Sequence, residues 1–452
     1  MKINNIILTA SMIIASASCK KFVEVPPPQD QIISEMIFTT DSKAIAAVNS
    51  IYGNMINGGT PGFIRQQLTV YPGFSSDEMT RFNPTSPMLE FINNDILSAN
   101  GNNKIIWTTL YQTIYYCNVC KEGLENATVL TSSVKETLIA EVKLVRAFCY
   151  FYLVNLYGDV PLVTSTDYNI NSLISRTSTD EIYNHIITDL IDAEGVLPAT
   201  FTAGERNKPT KWAAKALLAR VYLFKGNWTN AELKATEVIN SGLFTPLLAP
   251  NTVFLKNSKE AIWQLMPNTG IIPELREMRP SGNVPKSYLT QALLNTFQAG
   301  DLRKKQWIDS VLNTGSYYYY PMKYRNTSAT VLEYYMVLRS AEQYLIRAEA
   351  RNNRDNLLLA IDDINLIRLR AGLTTITSSG ITKADVAGLI ESERRKEFFA
   401  ELGHRWMDLK RTGKLSETLM PIKSGWQRTD SLYPIPIGEM LTNPNMVQNP
   451  GY

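Results

Sequence analysis

The sequence predicts a mainly α-helical fold: a scaffold of tetratricopeptide-like helical hairpins with loop-rich insertions and little β structure. Apolar residues recur every three or four positions over long stretches, which is the period of an amphipathic helix. Two stretches, 212–241 and 340–371, each contain an alanine-rich helix, a turn and a second helix with an alanine near its start. Small residues at such positions let two helices pack closely, as in tetratricopeptide repeats.

Further helices precede these hairpins. Apolar spacing predicts helices over 107–126 and 134–156, which would form a first, degenerate hairpin. The next helix is expected over 179–197, with Thr179 or Asp180 as its cap.

Two segments lack the helical period. Gly, Pro and Asn are dense in 58–103, and prolines interrupt 243–335 repeatedly. Because binding sites are commonly built from loops on a rigid scaffold, these two segments are the first candidates for a binding site.

The first 35 residues predict export and a lipid anchor. Residues 1–18 combine a charged start, a short apolar run and small residues leading into Cys19, as in a bacterial lipoprotein signal peptide. The apolar run is shorter than the ~20 residues that cross a bilayer, so acyl chains on Cys19 are the expected anchor. Residues 19–35 would then carry the lipid and form a tether to the fold. The alternative is an ordinary secretory signal with a chance cysteine.

Composition argues against several classes of function. Lys and Arg number 45 against 42 Asp and Glu, and no basic block is interleaved with aromatic residues, so no nucleic acid partner is expected. Cys117 and Cys120 form a C-x-x-C pair, but no second pair completes a zinc site, and both lie in a predicted helix. No catalytic residue, metal site or cofactor is predicted. Aromatic residues make up 10% of the chain, which favours ligand binding.

Three carboxylates, Glu393, Glu397 and Glu401, are spaced four residues apart within a long helix expected over 383–412. A glycosidase needs two carboxyl groups on opposite sides of the scissile bond, and one helix face does not readily provide them. Local ion pairs are the simpler interpretation. The basic residues among them are Arg394, Arg395, Lys396 and Arg405.

A carbohydrate site needs an aromatic ring for the apolar face of a sugar and planar polar groups for its hydroxyls. Both loop-rich segments offer such residues. The predicted ligand-binding residues are Asp77, Arg81, Phe82, Asn83 and Asn102 in the first segment, and Arg276, Tyr288 and Tyr318 in the second.

Some aromatic residues keep two interpretations. Trp107 suits either a ligand platform or the core. The four tyrosines of 317–320 cannot all face one way, because alternate side chains of a strand point to opposite faces. They fit a ligand platform or a half-buried edge strand.

Several motifs resemble, in their usual order, those of the SusD/RagB family of outer-membrane lipoproteins. One is an Arg-Ala-Phe helix followed by a Gly-Asp-x-Pro turn. Another is the helix E-S-E-R-R-K-E-F-F-A-E-L-G-H-R-W-M-D-L-K-R, in which Leu402 stands just before the usual glycine. The matching segments are 141–163, 209–231, 337–350, 364–373, 391–411 and 433–452. The resemblance extends over essentially the whole mature chain.

The resemblance implies an architecture and a site. A SusD-like N-terminal region, 36–242, and a RagB/SusD C-terminal region, 243–452, would form one compact unit. Asp77 and Arg81 rank first among the candidates, because residues 75–78 resemble a stretch from which family members often draw polar ligand contacts.

The resemblance also implies a role without catalysis. It predicts a lipoprotein on the cell surface, in the outer membrane of a Bacteroidota-type Gram-negative bacterium. Such a protein captures an oligosaccharide and delivers it to a SusC-type TonB-dependent transporter. Peptide or other cargo on the same transporter, a protein-interaction adaptor and a helical glycoside hydrolase remain alternatives.

Overall fold

The computed structural model describes residues 37–57 and 67–452. The predicted signal peptide, Cys19 and the tether lie outside the described residues. The described chain is mainly α-helical, with short strands, as the sequence predicts.

The N-terminal region, as far as the structure describes it, has long helices and three short ones of four to eight residues. In chain order they are α1 (Asp41–Asn57), α2 (Val70–Ser75), α3 (Ser86–Asn93), α4 (Gly101–Asn126), α5 (Ser132–Tyr157), α6 (Tyr168–Asn171), α7 (Thr179–Val196), α8 (Lys211–Phe224) and α9 (Trp228–Asn240).

The C-terminal region begins with short helices and continues with long ones. They are α10 (Leu275–Met278), α11 (Gln291–Leu294), α12 (Leu302–Trp307), α13 (Ser340–Asn353), α14 (Leu357–Arg370), α15 (Lys383–Phe398), α16 (His404–Arg411), α17 (Leu415–Leu419) and α18 (Ile437–Thr442).

The strands of the described chain pair two by two, always antiparallel, as β1–β5, β2–β3, β4–β8 and β6–β7. Their bounds are β1 (Met79–Arg81), β2 (Val160–Pro161), β3 (Arg176–Thr177), β4 (Ala261–Leu265), β5 (Ser287–Leu289), β6 (Ile308–Asn313), β7 (Ser316–Pro321) and β8 (Tyr335–Arg339). The two segments predicted as loop-rich hold β1, β4 to β7 and several short helices, so they are more ordered than their composition indicates.

Side-chain caps fix where two long helices begin. The side chain of Asn100 accepts hydrogen bonds from two amides in the first turn of α4, which leaves Trp107 inside the helix. Ser178 caps α7 in a capping box with Glu181. The cap is therefore Ser178, one residue before Thr179, the earlier of the two caps predicted from the sequence.

Both predicted hairpins are present, as α8 with α9 and α13 with α14. Alanines fill their contacts: Ala219, Ala231 and Ala350 are fully buried in one apolar cluster. A buried ion pair joins the two hairpins, since Arg220 donates to both carboxylate oxygens of Glu342 at 2.6 Å.

The main hydrophobic core draws on both sequence regions. Trp263 of β4 packs edge-on against Tyr52 of α1 and Phe148 of α5, with ring centroids 6.2 and 5.8 Å apart. All three are buried in the same apolar cluster. The first hairpin and several short strands are therefore held against a shared core, while the second hairpin packs in smaller apolar clusters beside it.

The single helix predicted over 383–412 is wrong. The chain leaves the helix after Phe398 and re-enters it at His404. Between them Ala400 and Leu402 have φ angles of 51° and 45°, which lie outside the range of a right-handed helix.

Contacts with the N-terminal region account for this break. The Ala400 amide donates to the Glu78 carboxylate at 2.7 Å, and the Leu402 amide donates to the Thr69 hydroxyl at 3.1 Å. At Gly403, where φ is 68°, an added Cβ would lie 2.9 Å from the Leu68 carbonyl oxygen. Amides released from the helix thus find partners in a turn that approaches the neighbouring backbone closely.

Candidate carbohydrate-binding site

Strand pairing brings the two candidate segments together. β1 and β5 pair antiparallel, with Thr80 opposite Tyr288. The Phe82 amide extends the pairing by donating to the Lys286 carbonyl at 2.8 Å. The hairpin β6–β7 lies against β5 and contributes Tyr318. Predicted residues from both segments therefore meet at one surface.

Phe82, Tyr288 and Tyr318 form an aromatic platform. The ring of Tyr318 meets Phe82 edge-on at 5.3 Å and 79°, and Tyr288 edge-on at 5.0 Å and 83°. All three side chains are half-buried. Burial and the neighbouring Tyr318 raise the pKa of Tyr288, so its hydroxyl stays protonated. The platform is therefore uncharged, and it presents ring surface together with hydroxyl groups.

The four consecutive tyrosines alternate as a strand requires. Tyr318 and Tyr320 face the protein, and the Tyr320 hydroxyl lies 3.1 Å from the Asp309 carboxylate. Tyr317 and Tyr319 face outwards, and Tyr317 is 63% exposed. The hairpin thus supplies one platform ring, Tyr318, and an exposed tyrosine beside it.

Polar candidates surround the platform. Arg81 donates to the Glu277 carbonyl at 3.0 Å and to the Ser287 hydroxyl at 3.2 Å, and its guanidinium lies 3.3 Å from the Glu277 carboxylate. Arg276, next to Glu277 on α10, and Asn83, next to Phe82, are exposed. Arg81 and Asn83 therefore flank Phe82 along the chain, and Arg276 lies beside Glu277, which holds Arg81.

Asp77 lies in the interior, which corrects the expectation that it contacts a ligand. Its side chain is 5% exposed, and Arg405 donates to both of its carboxylate oxygens at 2.7 and 3.1 Å. Arg395 adds a third hydrogen bond at 2.6 Å. Burial alone would raise the pKa of Asp77, but the hydrogen bonds and charges of Arg405 and Arg395 hold it below its usual range. Asp77 fastens the first segment to α15 and α16.

Asn102 and Trp107 belong to α4. Asn102 lies in the first turn of the helix, where its amide donates to the Asn100 cap at 2.8 Å. It is not among the residues that the strands bring to the platform. Trp107 is 2% exposed and packs edge-on against Tyr157 at 5.0 Å, which makes it a core residue.

The carboxylates at 393, 397 and 401 are buried in an ion-pair network. Each faces at least two basic side chains, so the structure favours ion pairing over a catalytic pair. The contacts run from Glu393 to Arg303, Arg368 and Lys396, from Glu397 to Arg303, Arg339 and Arg370, and from Glu401 to Lys323 and Arg339.

The partners differ from those that the sequence indicates. Of the basic residues next to the three carboxylates in the sequence, only Lys396 contacts one of them. The other ion-pair partners of the carboxylates come from distant segments. Burial opposes ionisation of Glu397, but Arg370, Arg339 and Arg303 outweigh it and hold its pKa well below the usual range. All three carboxylates are therefore neutralised by arginine and lysine.

Residues next to the platform escaped the sequence reasoning. Glu277 and Ser287 hold Arg81, and the Asn313 side-chain amide donates to the Asn283 carbonyl at 2.9 Å, linking the hairpin to the approach of β5. The sequence does not show that these polar loop residues lie next to the platform until the pairing of β1 with β5 is known.

Family models match two long segments of this chain. Residues 21–223 match a model described as starch-binding associating with outer membrane, and residues 295–452 match the model of the SusD family. The chain belongs to the SusD/RagB family. This assignment agrees with the helical hairpins and with the motifs read from the sequence.

Individual relatives extend over almost the whole SusD-family chain. It is 25% identical to SusD-like protein P25 of Formosa agariphila over an alignment of 526 positions, which covers 99% of this chain and 98% of that protein. A SusD superfamily protein from Bacteroides vulgatus shares the fold with a TM-score of 0.80 at 22% identity, covering 92% of this chain and 100% of that one. A laminarin-binding SusD-like protein does so with a TM-score of 0.74 at 24% identity, covering 91% and 99%.

Proposed function

We propose that this SusD-family protein is a cell-surface lipoprotein, anchored through Cys19, that captures an oligosaccharide and delivers it to a SusC-type TonB-dependent transporter. The signal-peptide pattern supports the lipid anchor and the outer-membrane location. Membership of a family of carbohydrate-binding proteins supports the type of ligand and the partner.

The observation that carries the proposal is the aromatic platform of Phe82, Tyr288 and Tyr318. A sugar ring has an apolar face that gains free energy by covering an aromatic ring, and half-buried rings are already held in place by their neighbours. The adjacent Arg81 and Asn83 supply donors and acceptors for hydroxyls. Laminarin, which one structural relative binds, is the first ligand to test.

The alternative of a glycoside hydrolase lacks support from the carboxylates that drew attention in the sequence. Glu393, Glu397 and Glu401 are held by arginine and lysine inside the protein, and a substrate could reach them only if the network opened. Capture without turnover is therefore the expected behaviour.

A binding screen tests the proposal. The mature chain from residue 21 is run in gels that contain laminarin, starch, xylan or pectin, and positive ligands are measured by calorimetry. Saturable binding to one glycan, with no new reducing ends, is expected. Release of sugar would favour a hydrolase, and binding to none of the glycans would shift the proposal towards peptide cargo.

Variants of one strand test the platform. Tyr318→Ala should weaken binding about tenfold, because it removes the central ring. Tyr317→Ala is the matched control, since Tyr317 is the exposed neighbour on the outer face of the same strand. Equal affinities of the two variants would contradict the site.

A further inference from the structure

A cleft on a different part of the molecule shares no residue with the platform. It has a volume of about 460 Å³ and lies between α4, the chain that follows β2 and the C-terminal segment around α18. Three parts of the chain that are distant in sequence thus line one concave surface. A concave site with a few converging polar groups is the usual form of a small-ligand site.

Tyrosines line this cleft on two sides. Tyr115 of α4 is 47% exposed and Tyr168 of α6 is 78% exposed, although both are large aromatic residues. Deeper in the cleft, the ring of Tyr111 packs against Trp107 at 4.8 Å and 42°. The Tyr111 hydroxyl donates to the Pro161 carbonyl at 2.9 Å, which fixes the ring. Two exposed rings therefore stand beside an aromatic floor that is held rigidly.

Polar groups with unused hydrogen-bonding capacity also line the cleft. Glu439 is half-buried and lines the cleft together with Trp107, and its carboxylate has lone pairs available for a ligand. Gln112 uses its amide nitrogen on the Tyr116 hydroxyl at 3.0 Å, and Asn171 uses its amide nitrogen on the Ser165 carbonyl at 2.8 Å. The amide oxygens of Gln112 and Asn171 are thereby oriented but remain open to a donor.

This combination suits a polyhydroxylated ligand. Exposed tyrosine rings cover the apolar faces of sugar units, and a carboxylate with fixed amide oxygens accepts hydrogen bonds from hydroxyl groups. Acceptors dominate the polar groups that are left open, so a neutral glycan with many hydroxyl donors fits better than an anion. We infer that this cleft is a second glycan-binding site, separate from the platform, that holds another stretch of a long chain or a second chain.

Apolar side chains outside the cleft define the competing interpretation. Leu173, Leu441 and Val447 are exposed on the segments that border it, and the Asn445 side-chain amide ties the two segments together by donating to the Leu173 carbonyl at 2.6 Å. A protein partner would use these apolar side chains, whereas a glycan would use the tyrosines and Glu439. The two occupants therefore predict different sensitive residues.

The inference rests on the proposed glycan binding. The test distinguishes failure of the second site from failure of the proposed function. The mature protein is run in gels containing laminarin, starch, xylan or pectin, and the best ligand is measured by calorimetry. The cleft variant is Tyr115→Ala with Tyr168→Ala, the platform variant is Phe82→Ala with Tyr318→Ala, and Leu441→Ala is the control, 80% exposed and outside the cleft lining.

The cleft variant is expected to lose about tenfold in affinity for the polysaccharide, or one of two binding events, while Leu441→Ala keeps the affinity of the natural chain. Glu439→Gln should weaken binding as well, without removing a ring. If the cleft variant binds as the natural chain does while the platform variant is impaired, the second site is rejected and the proposed function stands. If Leu441→Ala loses as much glycan affinity as the cleft variant, the loss is not specific to the cleft tyrosines and the second site is rejected. If the natural chain binds no glycan, the proposed function itself fails.

Discussion

The buried ion-pair network and the aromatic platform differ in the charge and the exposure of their side chains. The network gathers Glu393, Glu397 and Glu401 with distant arginines inside the protein, where every charge depends on a partner. The platform keeps uncharged rings half-exposed at the meeting point of two loop segments. The residues that look most reactive in the sequence therefore hold the fold, and the least reactive ones form the proposed glycan site.

The largest expected effect lies in the network. Arg339→Ala leaves Glu397 and Glu401 without their shared partner, so the free energy of unfolding should fall by about 3–5 kcal/mol. Lys383→Ala, which removes an exposed ion pair with Asp355, is the control and should change the denaturation midpoint little. Similar midpoints for both variants would show that the network contributes no more than a surface pair.

A substitution of Asp77 distinguishes most directly between a role in stability and a role in ligand binding. Asp77→Ala leaves Arg405 and Arg395 without their carboxylate, so stability should fall by about 3 kcal/mol. Glycan affinity of the protein that remains folded should be unchanged, as measured by calorimetry well below the melting temperature. A variant with normal stability and weaker glycan binding would reverse this assignment.

The interior carboxyls also predict how stability depends on pH. Burial raises the pKa of Glu274 to about 8 and that of Glu78 to about 7, whereas an unfolded chain has values near 4.3. Between pH 5 and 7 these two carboxyls therefore bind more protons in the folded protein than in the unfolded one. The stability that they contribute should fall as pH rises, by up to about 1.4 kcal/mol per pH unit for each group.

Glu274→Gln tests this dependence, because the amide is neutral at every pH. Urea denaturation at pH 5, 6 and 7 should show a shallower loss of stability in the variant than in the natural chain. Identical slopes would mean that Glu274 is ionised in the folded protein throughout. Glycan affinity should vary little over the same range, since the platform rings are uncharged.

The smallest effect is expected at the platform itself. Tyr318→Phe keeps the ring that meets Phe82 and Tyr288 and removes only a hydroxyl, so affinity should stay within about threefold of the natural chain by calorimetry. If Tyr318→Phe binds as weakly as Tyr318→Ala, the hydroxyl rather than the ring face recognises the sugar.

The scaffold could be predicted because its signals are local. The alanines of the two hairpins and the helical spacing depend on residues three or four apart, and the structure confirms them. The break after Phe398 could not be predicted, since it depends on Thr69 and Glu78, which lie more than 300 positions away in the sequence.

The arrangement of the proposed site follows from the sequence only in part, for the same reason. Phe82, Tyr288 and Tyr318 were chosen for residue type and loop position, and strand pairing brings them together. Asp77 was ranked first because residues 75–78 resemble a family stretch, but it meets Arg405, a contact 328 positions apart that no local pattern reveals. Side-chain chemistry indicates what a residue can do, whereas long-range contacts decide whether it faces the ligand or the interior.

The pairing of β1 with β5 also bears on how such proteins diversify. The platform rings lie on short strands and on the hairpin, while the ion pairs and alanines that hold the helices lie on other elements. If the platform binds the glycan as proposed, substitutions at positions 82, 288 and 318 change ligand preference without disturbing the helical framework. A descendant protein could keep the helical framework almost unchanged and bind a different nutrient after substitutions at a few surface positions.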